Sequence, residues 1–181
     1  MRKFSMIAFL AVAGTASVAA AQPVVPTALT GGTQGSFVAQ DFFAAFSSAS
    51  WFTFTLTEAT LVDIDFNRTS APPDLIASLY LGDITGADAT ALGVSHGNNF
   101  FTNFGSFVHV VTEDDTHEDA FGGPFGDPQF ILNLDPGTYS IVVTALQGAG
   151  AGFTVTSNVP APGAAGLLGV AGLAALRRRR R

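Results

Sequence analysis

At 181 residues with no cysteine, eight lysines and arginines, fourteen aspartates and glutamates and a formal charge of −6, the chain cannot be a disulfide framework and is long enough for one domain. Seven of the eight bases lie in the first three and last five residues, so residues 22–158 hold one base, Arg68, against all fourteen acids, a formal charge of −13. Such a surface repels phosphate backbones, which are bound through Lys and Arg; it excludes nucleic acid as a partner and favours solubility and divalent cations.

The first element is a targeting segment. Arg2 and Lys3 form a positive start, residues 6–12 are apolar, and Ala19, Ala20 and Ala21 make an A-x-A site, so residues 1–21 read as a secretory signal peptide cut by signal peptidase between Ala21 and Gln22. A glutamine at 22 and the lack of cysteine remove the acylated cysteine of a lipoprotein, and Lys3 after Arg2 leaves no twin-arginine pair. Export of an unfolded chain is the expectation.

Residues 22–158 are the exported domain, expected to have a single core held together by packing alone. Residues 23–36, rich in Pro, Thr and Gly, read as a loose lead-in, with one edge strand starting near Phe37. Period two then dominates. Phe52, Phe54 and Leu56 alternate with Thr53 and Thr55, and Val62, Ile64 and Phe66 alternate with Asp63 and Asp65. Further strands are predicted over 75–81, 107–112, 129–134, 138–146 and 152–156, separated by Gly, Pro, Asp and Asn. The expected fold class is all-β, an antiparallel β-sandwich with Phe52, Phe54, Val62, Ile64, Phe66, Leu79, Leu132, Leu134, Ile141 and Val143 in one core. Phe100, Phe101 and Phe104, set among Asn98, Asn99, Asn103 and Gly105, form either a cap over the sandwich edge or an exposed binding face.

Residues 113–119 hold five carboxylates in seven positions: Glu113, Asp114, Asp115, Glu118 and Asp119. Hard cations take several oxygens, so a metal site of Asp114, Asp115, Glu118 and Asp119 with calcium as the ion stands beside the alternative of a solvated acidic loop; the Asp-x-Asp-x-Asp-Gly order of a helix-loop-helix site is missing. His96, His109 and His117 lack the short paired spacing of a zinc site, and His109 alternates with Val108 and Val110 as an ordinary strand residue. No cysteine, no G-x-S-x-G elbow and no serine placed distinctively near a histidine points to nucleophilic catalysis. Asp63 and Asp65 share a strand face, as a glycosidase pair could, and as solubilising strand neighbours do.

Residues 127–143 run from an apolar strand (Phe130, Ile131, Leu132) through Pro136 and Gly137 into Gly137-Thr138-Tyr139, with Gly137 expected to supply the positive φ of a type II turn. This stretch is similar to the bacterial pre-peptidase C-terminal domain, and Trp51-Phe52-Thr53-Phe54 and Asp74-Leu75-Ile76-Ala77-Ser78-Leu79-Tyr80 match that family's opening strands in order. The resemblance covers about residues 50–155 and implies a jelly-roll-like sandwich. It also implies an acidic loop that Asp114 and Asp115 would match, with Asp127 beyond it.

Residues 159–181 have three ordered parts: Val159, Pro160, Ala161, Pro162 and Gly163; an uncharged run over 164–176; and Arg177, Arg178, Arg179, Arg180 and Arg181. The prolines disfavour helix in the first part, and the arginines would hold one end in the cytoplasm. The run is short for a membrane span, which needs about 17–25 residues. The layout resembles the PEP-CTERM sorting signal of Gram-negative bacteria, with Ala161 where the family usually has glutamate. The resemblance implies recognition by an exosortase-like membrane protease, a transient stay of the hydrophobic sorting helix in the inner membrane and removal of the tail; a permanent single-pass anchor, or a tail that merely packs on the domain, is the alternative.

Together these features describe a non-catalytic secreted protein delivered to the cell envelope or extracellular matrix. The alternatives are a carbohydrate-binding module that meets extracellular polysaccharide through the Phe and Asn loop over 98–104, and a small secreted hydrolase with a carboxylate pair.

Overall fold

A computed structural model describes residues 25–45, 48–70, 74–84, 96–99, 101–103, 107–117, 126–147, 150 and 152–160. The expected signal peptide, Glu118, Asp119 and the sorting segment beyond Pro160 lie outside the described residues.

Among the described residues ten strands form two sheets: β1 (Thr27–Ala28), β2 (Gly32–Val38), β3 (Gln40–Asp41), β4 (Ser50–Leu56), β5 (Thr60–Arg68), β6 (Asp74–Leu81), β7 (Val108–Asp114), β8 (Gln129–Leu134), β9 (Gly137–Gln147) and β10 (Gly152–Ser157). The larger sheet runs β1-β4-β9-β6-β7 with β3 beside β9, and the smaller runs β2-β10-β5-β8. One helical turn, α1 (His96–Asn99), lies between β6 and β7. The strands expected from β4 onward are present with ends moved by at most two residues. Two expectations are corrected: the lead-in is not loose, because β1 and most of β2 lie within it, and the pairing is not wholly antiparallel, because β1 with β4 and β3 with β9 are parallel. The edge strand expected to start near Phe37 instead ends there: β2 begins at Gly32, and among the described residues it pairs with β10 alone.

Alternation explains the core. In β5, Val62, Ile64 and Phe66 are fully buried while Leu61 and Asp63 are exposed, and in β4, Phe52 and Phe54 turn inward. These residues meet Leu79, Leu134, Ile141, Val143 and Phe153 across the sandwich, with Leu132 partly buried against them, so the expected core members share one cluster. Aromatic edges knit the sheets: Phe52 of the larger sheet packs on Phe37 at 4.8 Å and on Phe66 at 5.9 Å in the smaller. Each fully buried aromatic or leucine contributes roughly 1.5–3 kcal/mol.

A second apolar cluster corrects the expectation of a single core. Trp51, Tyr80, Ile84, Phe107 and Val142 pack on the outer face of the larger sheet. Coverage of both faces is why β6 is buried from Asp74 to Tyr80 and reads as a continuous run rather than an alternation. The chain enters that cover at Gly82, whose φ of +132° is one that glycine adopts and side-chain-bearing residues rarely do; a Cβ there would meet the Phe107 ring at 2.4 Å.

The Pro136-Gly137 step is a further correction. Gly137 is not among the glycines with positive φ; it begins β9, paired with Leu56, and its lack of a side chain leaves room for Leu81, which a Cβ would meet at 3.0 Å. β8 and β9 belong to different sheets, so the step is a crossover between layers and not a hairpin. The Tyr139 hydroxyl pins it by donating to the Asp135 carbonyl at 2.8 Å.

Candidate functional site

Chemistry-bearing side chains gather where β5 and β7 end, β6 begins and the chain enters β8. Pairing of Ile76 with Asp114 carries the end of β7 alongside the start of β6, and there Asp74, Asp114 and Asp115 each bring a carboxylate oxygen within 4.8 Å of the others. Asp74 is 5% exposed, and its Oδ1 is buried with no hydrogen-bond partner. Asp115 takes a left-handed φ of 52°, the one non-glycine positive φ among the described residues, and its Oδ1 accepts a hydrogen bond from the Gly126 amide at 2.6 Å. Gly126 fits only without a side chain, since a Cβ would stand 2.6 Å from the His117 carbonyl and 2.9 Å from the Asp115 backbone.

The electrostatics follow from crowding acids out of water. Burial, then the charge of Asp115, raises the Asp74 carboxyl above its ordinary value, and Arg68 pulls it part of the way back. Asp114 is pushed up to about 6 by burial and then by the charges of Asp115 and Asp74. Glu113 is raised by burial alone. Arg68, the single base of the domain, is engaged beside this group with Asp127: its Nε lies 3.6 Å from Asp127 Oδ1, and its backbone amide donates to Asp127 Oδ2 at 3.1 Å.

Of the four residues predicted to hold a metal, the fold brings Asp114 and Asp115 together, while Glu118 and Asp119 lie outside the described residues. Asp127 turns to Arg68. Asp74, expected only as the start of a strand, is the third member of the group and was not among the predicted ligands. Forty residues separate it from Asp114, and the available signal was a lone acid opening an otherwise apolar strand.

The histidines do other work. His96 in α1 is fully buried, with Nε2 2.7 Å from Ser78 Oγ and Nδ1 bonded to Thr144 Oγ1; Ser78 continues to Thr112 at 2.6 Å, and Thr112 to His109 Nε2 at 2.9 Å. A serine does therefore stand against a histidine, which the sequence did not signal. Burial, with a smaller contribution from His109, lowers the His96 pKa to about 3. His109 lies on the covered face beside Tyr80, and its neighbours Val108 and Val110 are the exposed ones. His117 is exposed and bridges Asp127 through its backbone.

On the outer face of the smaller sheet, Asp63, Asp65, Gln129, Thr156, Ser157 and Asn158 line a shallow cavity of about 210 Å³, where Gln129 Nε2 donates to Asp63 Oδ1 at 2.9 Å. In the aromatic loop, Phe101 is 64% exposed and its ring meets His109 edge-on at 6.2 Å; Phe100 and Phe104 lie outside the described residues. At the other end of the chain, Val159 is 1% exposed and belongs to the core, and Pro160 is exposed. Among the described residues no helix is long and apolar enough to cross a membrane.

Solved structures similar to this chain include the following two. One is CorA of Methylomicrobium album BG8, described as a surface-associated copper-binding protein important in copper acquisition, with a TM-score of 0.53 and 11% identity over 76% of this chain and 99% of that one. The other is the pre-peptidase C-terminal domain of a collagenase from Bacillus anthracis, with a TM-score of 0.46 and 9% identity over 76% of this chain and 98% of that one. No protein-family model matches the chain, and no curated protein matches it. At 11% identity the likeness to CorA shows a shared sandwich fold alone.

Proposed function

We propose that this chain is an exported, non-catalytic β-sandwich, sorted to the envelope or extracellular matrix of a Gram-negative bacterium by an exosortase-like membrane protease that removes its tail. The observation that supports this reading best is the burial of Val159: among the described residues it is the last core side chain, and the Pro-Ala-Pro-Gly motif, apolar run and five arginines come directly after it in the sequence. The non-catalytic part rests on burial. Ser78 and His96 are in contact but both fully enclosed, so no substrate reaches their polar atoms. Signal peptidase and the membrane protease are the processing partners in this reading, and calcium, the common hard cation outside cells, is its cofactor.

Mass spectrometry of the protein recovered from its native envelope tests the sorting. A first residue at Gln22 and loss of Arg177 to Arg181 are expected, and an intact C-terminus on most molecules would replace sorting by a permanent anchor. The carbohydrate-binding alternative, expected at the Phe and Asn loop over 98–104, finds a better place at the shallow polar cavity of Asp63, Asp65 and Gln129, whose side chains suit sugar hydroxyls. Retention on polysaccharides of the host matrix that disappears in Gln129→Ala would favour it.

A further inference from the structure

We propose that Asp74, Asp114 and Asp115 form a calcium site that ties the start of β6 to the end of β7. Two independent observations converge. Three carboxylates from two distant stretches bring oxygens within 4.8 Å of one another, a span that one calcium ion bridges with oxygen ligands at about 2.3–2.6 Å. Separately, Asp74 is 95% enclosed by the fold and its Oδ1 has no hydrogen-bond donor, although buried polar atoms are nearly always satisfied and a lone buried carboxylate oxygen is costly. A cation supplies the missing partner.

One base cannot balance this many acids. Arg68, the one base between residues 22 and 158, pairs with Asp127, and its charge offsets only part of what burial and Asp115 impose on Asp74. All three donors are carboxylate oxygens, with no imidazole or thiolate in the group, which selects a hard ion over copper or zinc. Asp74 is enclosed while Asp114 and Asp115 are exposed, so protein anchors one side of the ion and water completes the other. That is a geometry calcium accepts more readily than magnesium, which demands a near-ideal octahedron. The site was not visible as the acidic loop alone, because its enclosed ligand comes from the first position of β6.

The assignment deepens the exported-protein reading and rests on it only for the supply of calcium. Isothermal titration of the full chain with calcium chloride should give one saturable event with a dissociation constant on the order of 10⁻⁴–10⁻³ M, as in extracellular modules. Asp74→Asn should weaken it at least tenfold, magnesium should bind at least tenfold more weakly, and Asp135→Asn, at the opposite end of β9, should leave it unchanged. If Asp74→Asn fails to fold by circular dichroism, Asp115→Asn carries the same expectation. The proposal is overturned if calcium gives no saturable event, if sodium chloride at matched ionic strength suppresses it entirely, if the variants bind as the parent does, or if copper(II) or magnesium takes the site more tightly. Titration is indifferent to where the tail ends, so a negative result removes the site and leaves the sorting question to mass spectrometry.

Discussion

The Arg68 Nε lies 3.6 Å from Asp127 Oδ1 with both side chains at most 3% exposed, so the only lysine or arginine of residues 22–158 is used inside the fold. No guanidinium or ammonium is left for the surface of residues 22–158, and the negative field around the domain is uncompensated by any fixed positive side chain. Removing one partner of a buried pair leaves the other charge stranded. Arg68→Met should therefore cost about 3–5 kcal/mol in urea unfolding, while adding Asp127→Leu to it should restore at least half of the loss. An Arg68→Met protein as stable as the parent would show that the pair is not coupled.

His96 predicts an acid limb. Its pKa falls from the ordinary 6.5 to about 3 in the fold, so below 6.5 the unfolded chain takes up a proton that the folded one refuses. The stability held by neutral His96 is present in full above 6.5 and is lost as the pH falls toward 3. Between pH 7 and pH 5 the parent should lose about 2 kcal/mol more than His96→Gln. Asp114 acts in the opposite sense: raised from 3.8 to about 6, it stabilises below 3.8, and this contribution is lost as the pH rises through 6. Being common to both proteins, it cancels in the comparison. Parallel curves for the two proteins in urea at the two pH values would sink the assignment.

The β4 register separates two adjacent positions. Phe54 is buried against Tyr139, stacked at 5.3 Å, whereas Thr53 is half-buried and gives one hydrogen bond to the Tyr139 carbonyl at 3.0 Å. Phe54→Ala should cost about 3–5 kcal/mol and Thr53→Ala about 1 kcal/mol. Equal midpoints in urea for the two variants would contradict this register.

Asn158 and Val159 close the smaller sheet. The Asn158 side chain accepts from the Asp63 amide at 2.8 Å and donates to the Leu61 carbonyl at 3.1 Å, and Val159 fills the core behind it. A chain ended after Val159 should melt like one ended after Pro160, while one ended after Ser157 should lose at least roughly 1.5–3 kcal/mol from the valine alone. Identical melting temperatures for all three would place the end of the fold earlier.

Local pattern made most of the fold legible. Alternation in 51–56 and 62–66 put Phe52, Phe54, Val62, Ile64 and Phe66 in the core because the side-chain period of a strand is a property of the backbone. What pattern could not convey was which strands meet. Gly137 looked like a hairpin corner because Pro-Gly is good turn chemistry, yet its flanking strands go to different sheets. The second apolar cluster was hidden because a strand covered on both faces has no alternation to read. In the candidate site, Asp114 and Asp115 were visible as part of an acidic run, while Asp74 and the Ser78–His96 contact arise from pairings between residues far apart in the chain.

Burial of Val159 also gives the protein a ruler for proteolysis. An enzyme that has trimmed the chain back to the exposed Pro160 next meets a residue it can grip only by pulling a side chain out of the core. Ragged cutting anywhere downstream would thus converge on one product length, so a uniform mature end does not by itself demand a protease of narrow specificity.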